Sequence, residues 1–162
     1  MATGVVGAAV SSVREATHDE PVWRERSNFI LATAIESGNT DVTTEQLWGR
    51  KIDDRHFELC CIPFFAYDLA LGDVVETDES YLVRRVSTRS GRYVFRVWFG
   101  ESFHPRDEVA SKLESLGALL EWSSPNLLAV DARDAAHAQQ IADYLQEQED
   151  ATRLMYETGK TV

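Results

Sequence analysis

The chain has 162 residues, 44% of them apolar and 27% charged, so it can bury one ordinary core or two small ones and is not a disordered polymer. Its net charge of -11 and pI near 4.7 repel a phosphate backbone, which disfavours nucleic acid as a partner. No stretch approaches the ~20 apolar residues of a membrane span, so no membrane association is expected.

Residues 1–27 read as a flexible extension, turning polar through Thr17, His18, Asp19 and Glu20 and docking, if at all, through Trp23. No Lys or Arg precedes Arg14, so no signal-peptide n-region is expected. From 28 to 90 the signals are those of short strands. Phe29–Ile35 is an apolar run ending at a Glu36-Ser37-Gly38-Asn39 turn cluster. Thr43–Trp48 fits a helical turn or the start of a strand. Trp48–Ile52 and His56–Ile62 follow as strands around Asp53-Asp54 at hairpin spacing. After Pro63–Tyr67 come Gly72–Glu76 and Tyr81–Val86, with Gly72 placed for a backbone angle closed to other residues. Such close spacing predicts a small β-barrel-like portion.

From 91 to 162 the periods alternate more clearly. Tyr93, Phe95, Val97 and Phe99 make one aromatic strand face. A helix follows, with Pro105 in its first turn, Val109, Leu113 and Leu116 as its buried stripe, and Gly117 closing it. Leu119–Trp122 and Leu127–Val130 are strands around a Ser-Ser-Pro-Asn turn. A second helix runs from about Ala135 to Gln148, capped by Asp134 or Asp131, with Ala138, Ile141, Ala142 and Leu145 inward. Arg153–Tyr156 is a closing strand. The order is that of a ferredoxin-like βαββαβ unit, so the fold class is α+β, the two portions standing apart or forming one compact unit.

Glu45-x-Leu47-Trp48, Ile62-Pro63-Phe64-Phe65-Ala66-Tyr67 and Leu71-Gly72-Asp73-Val74-Val75 together resemble a bacterial family of small proteins of unknown function. The resemblance covers about Phe29 to Tyr156. It implies a fold and a bacterial cytosolic setting, and no reaction.

The most unusual local feature is electrostatic. Between Ser80 and Gly100 stand Arg84, Arg85, Arg89, Arg92 and Arg96 with no carboxylate, so the rest of the chain carries -11 - 5 = -16. If the flanking strands pair as a hairpin, Arg92 and Arg96 share a face and Arg84 can join them, a set of guanidinium forks suited to a small anionic ligand. The simpler reading pairs them with the protein's own carboxylates. Phe64, Phe65 and Tyr67 could line a pocket with Asp73 as its acid or base, or could plug the core, which the size of aromatic side chains favours. Asp143, Glu147 and Asp150 form a solvated face on the second helix, suited to solubility or to a basic protein partner.

Metal and nucleophile chemistry find little support. His56 with Cys60 and Cys61 gives too few ligands for zinc, and the adjacent thiols offer only a strained disulfide, which fits a reducing cytoplasm. Ser102 and His104 lack a nucleophile elbow, and no glycine-rich phosphate loop occurs. No cofactor or metal is expected. The leading expectation is a non-enzymatic, acidic interaction protein of the bacterial cytosol, with immunity or antitoxin-type binding of a basic partner. The alternative is a binding protein or enzyme acting on an anionic ligand through the arginines.

Overall fold

The computed structural model describes residues 14–36, 41–101 and 105–160. Among these are ten strands in two sheets and two α-helices, a mixed α+β architecture. The expected turn cluster at 37–39, together with Ser102 and His104, lies outside the described residues.

In the first sheet β2 (Phe29–Ala34) pairs antiparallel along β3 (Val42–Lys51), Phe29 opposite Gly49 and Ala34 opposite Thr44. The other edge of β3 takes β1 (Arg14–Ala16), parallel, at its start and β4 (His56–Leu59), antiparallel, at its end. β5 (Val74–Thr77) and β6 (Val83–Thr88) continue from β4 in antiparallel order. Thr43–Trp48 therefore belongs to one ten-residue strand; the helical-turn alternative gives way to pairing on both edges. A single parallel bridge, Ala32 to Leu82, brings β2 near the segment before β6, but no ladder follows, and the sheet does not close as a barrel.

The second sheet has the order β10-β7-β9-β8, all neighbours antiparallel, from β7 (Tyr93–Trp98), β8 (Leu119–Ser124), β9 (Leu127–Ala132) and β10 (Met155–Thr158). The helices α1 (Arg106–Ser115) and α2 (Ala135–Asp150) cover one face. Phe95, Val97 and Phe99 pack there with Val109, Leu113, Ile141 and Leu145. Asp134 caps α2 by accepting from the His137 N–H at 2.8 Å, which decides against Asp131. Gly117, at φ +89°, ends α1: its own N–H donates to the Glu114 carbonyl and that of Ala118 to the Leu113 carbonyl, a Schellman closure.

β6 and β7 do not form the expected hairpin. Each pairs within its own sheet, and residues 89–92 carry the chain between the two. The other face of the second sheet is not open either. Val94 and Ala129 on that face pack against Ile62, Phe64, Ala70 and Leu71, with Trp23 and Leu119 alongside. The first half thus covers much of the helix-free face, and Arg96 on β7 lies within that internal contact.

Candidate functional site

At the centre of that contact is a buried charge network. Glu45 projects from β3 on the same side as Leu47, and Glu121 from β8 on the same side as Leu119; each carboxylate occupies a core position. His18 bridges them. Its Nε2 donates to Glu45 and its Nδ1 to Glu121, both at 2.7 Å, and all three side chains are sealed from solvent. Burial by itself would lower the imidazole pKa. Cys61 and the hydrogen bonds to Glu121 and Glu45 outweigh it and raise it to about 12. Burial pushes the Cys61 thiol up, so the carboxylates, not a thiolate, are the anions that hold the imidazolium at neutral pH. Burial works against the Glu45 carboxylate, but the hydrogen bond to His18, the His18 charge and the N–H groups of Phe64 and Phe65 together outweigh it and hold its pKa below the ordinary 4.5.

The remaining lone pairs fix a loop. Glu45 accepts the N–H groups of Phe64, Phe65 and Ala66 at 2.7–3.0 Å, and Glu121 accepts that of Ile62 at 2.7 Å. The Phe64 ring stacks on the His18 ring at 4.0 Å. Asp73 does similar work nearby, accepting from Ala70 and Ser90 backbone N–H groups, so its carboxylate is a loop anchor. The expected docking of the extension through Trp23 is joined by the deeper anchor at His18. A lone histidine in a polar segment gives no signal of that.

The loop so pinned forms one side of a cavity of about 270 Å³. Phe64, Phe65, Trp98, Leu127, Met155 and Tyr156 wall it, and Arg96 and Glu157 supply its charge. Arg96 is only 5% exposed. Its Nη2 donates to the Ala66 carbonyl and its guanidinium lies 4.8 Å from the Tyr67 ring centroid. Nε and Nη1, which carry three of the five guanidinium N–H groups, have no hydrogen-bond partner among the described residues. Burial presses the Arg96 pKa down, while Glu45 and Glu157 oppose that, and a guanidinium stays charged in any case. Glu157 stands 3.7 Å from Nη1, beyond hydrogen-bond reach, and accepts from the Tyr67 hydroxyl at 2.9 Å.

A larger cleft of about 480 Å³ lies beside Asp68, Asp73, Arg89, Arg92, Tyr93 and Lys160. Its cations are engaged. Arg92 grips Asp131 through Nε and Nη2 at 2.6–3.2 Å, and Arg89 donates to the Asp68 carbonyl with Asp73 at 3.5 Å. The Lys160 ammonium lies 4.9 Å from the Tyr93 ring.

The residues singled out in the sequence therefore divide. Phe64, Phe65, Tyr67 and Arg96 come together, Asp73 and Arg92 line the other cleft, and Arg84, exposed on β6, lines neither. Asp143, Glu147 and Asp150 are exposed on α2, with Asp143 and Asp150 accepting from Gln139 and Gln146.

Comparison with solved structures places the fold: a crystal structure of a hypothetical protein from Neisseria gonorrhoeae superposes with a TM-score of 0.70, at 21% identity over 81% of this chain and 93% of that one. The chain belongs to the DUF4265 family, a domain of unknown function, whose model matches residues 45–156. No curated protein matches it. Among the described residues no helix is long and apolar enough to cross a membrane.

Proposed function

We propose that the protein binds a small anionic ligand in the cavity at Arg96. One observation carries this: Arg96, among the residues that line an otherwise apolar cavity, has a guanidinium almost wholly buried, with Nε and Nη1 lacking acceptors among the described residues. Leaving charged donors unpaired in the interior is costly, and an anion that supplies the acceptors recovers that cost. The loop holding Phe64 and Phe65 is fixed from behind by Glu45, so the cavity wall is pre-formed. Nothing in the arrangement amounts to a nucleophile with its base, so the reading is binding rather than catalysis.

The order β10-β7-β9-β8 with two helices on one face supports reading the second half as ferredoxin-like, and the Ala32–Leu82 bridge supports a barrel-like first half. The ordered Glu45, Ile62–Ala66 and Leu71–Val75 motifs then serve as the frame that builds the cavity wall.

A thermal-shift series with carboxylates and phosphates tests the proposal, since a ligand of the native state raises stability. Anions should raise the transition of the native protein and leave Arg96→Met unmoved. Because Arg96 also holds the Ala66 carbonyl, Leu127→Trp serves as a second variant that fills the cavity with the cation intact. Equal shifts in all three forms would rule the site out.

The exposed Asp143, Glu147 and Asp150, spaced four and three residues apart on α2, support a second reading: docking of a basic protein partner, as in an immunity or antitoxin-type role in the bacterial cytosol. It predicts salt-sensitive binding of an oligo-lysine peptide that neutralising those three carboxylates abolishes; binding unchanged by their removal would end it.

A further inference from the structure

Resting on the Arg96 reading, we infer that the ligand is a monocarboxylate on a compact apolar body, and that it takes the place of Glu157. Three observations lead there. The first is the charge of the site. Among the described residues that line the cavity, Arg96 is the one cation, with no lysine or second arginine beside it. A phosphate dianion is usually held by several donors or cations, whereas one planar guanidinium matches one planar carboxylate.

The second is the lining. Six of its eight residues are aromatic or aliphatic, and at about 270 Å³ the cavity stands just below the ~300 Å³ at which small-molecule sites usually begin. That space suits a single ring or one branched chain. Trp98 at 40% exposure and Met155 at 60% leave apolar surface at the mouth for such a body to cover.

The third is Glu157 itself. It sits on β10 directly opposite Arg96 in the strand register, so a carboxylate already stands over the guanidinium. Yet it is half exposed, holds the Tyr67 hydroxyl, and stays 3.7 Å from Nη1. It neutralises the cation without satisfying its N–H groups. A ligand carboxylate closing to hydrogen-bond distance would turn Glu157 out to solvent, where its charge costs little. Glu157 therefore acts as an internal competitor that sets a threshold on affinity.

The experiment is calorimetric titration of the full chain and of Glu157→Gln with three probes: phenylacetate, its neutral analogue phenylacetamide, and inorganic phosphate. Phenylacetate should bind the native protein, phenylacetamide at least tenfold more weakly, and Glu157→Gln should bind phenylacetate about tenfold more tightly, as removal of a competing like charge requires. Phenylacetamide binding as well as phenylacetate, phosphate binding in preference to both, or no tightening in Glu157→Gln would overturn this inference, while a phosphate response lost in Arg96→Met would leave the anion site standing. If no anion binds either form, both readings fall.

Discussion

His18 joins β3 to β8 through its two ring nitrogens. It is a buried cation between two buried carboxylates, each of which also holds backbone N–H groups. Removing it leaves Glu45 and Glu121 facing one another without a counter-charge. His18→Leu should therefore lose about 3–5 kcal/mol, the usual cost of breaking a buried ion pair from one side. The pH dependence has a definite sign. The His18 pKa is raised from 6.5 to about 12, so its contribution is complete below pH 6.5 and declines as pH rises toward 12. The Glu45 pKa is lowered, so its contribution is complete above about pH 4.5 and is lost as pH falls through its folded value. Urea unfolding should show greatest stability between roughly pH 4.5 and 6.5. His18→Leu should flatten the decline on the alkaline side, and an unchanged alkaline slope would show that His18 is not protonated.

At the scale of elements, the second half was legible because each segment shows one clear period. Phe95, Val97 and Phe99 alternate, Ala138, Ile141 and Leu145 recur at helical spacing, and Gly117 marks a real helix end. The β6–β7 connection departs from a hairpin for a physical reason. Four residues between two strands look like a hairpin, but β7 is claimed on both edges by β9 and β10, so β6 must stay with β5. Glu45 was legible in principle, since it shares the alternation of Leu47; a carboxylate at a core position is itself a signal. Gly72 takes the backbone angle that its place at the entry to β5 suggests. It adopts φ +82°, and a Cβ there would meet the Ser90 Cβ at 3.1 Å and the Trp23 ring at 3.4 Å. Gly72→Ala should therefore cost about 1–3 kcal/mol by chemical denaturation, through backbone strain and crowding together. A loss below half a kcal/mol, on the order of an ordinary surface substitution, would mean the turn relaxes freely.

At the scale of the whole molecule, the covered helix-free face changes the meaning of the arginine-rich segment. The sequence leaves two readings, an anion clamp or pairing with the protein's own carboxylates; in the fold Arg92 is taken by Asp131, Arg85 by Glu76, and Arg89 by the 68–73 loop. Arg96 is left with buried donors beside a cavity lined by Phe64 and Phe65 from the first half and by the second sheet. The long-range pairing of Glu121 with His18 and Ile62 was out of reach of any local pattern, and with it the location of the cavity. The claim that Arg96 is a ligand group is tested most directly by NMR of the arginine Nε–H signals during titration with phenylacetate. The Arg96 signal should shift progressively and saturate while those of Arg89 and Arg92 stay in place. A saturating shift at Arg89 or Arg92 with Arg96 unmoved would contradict it.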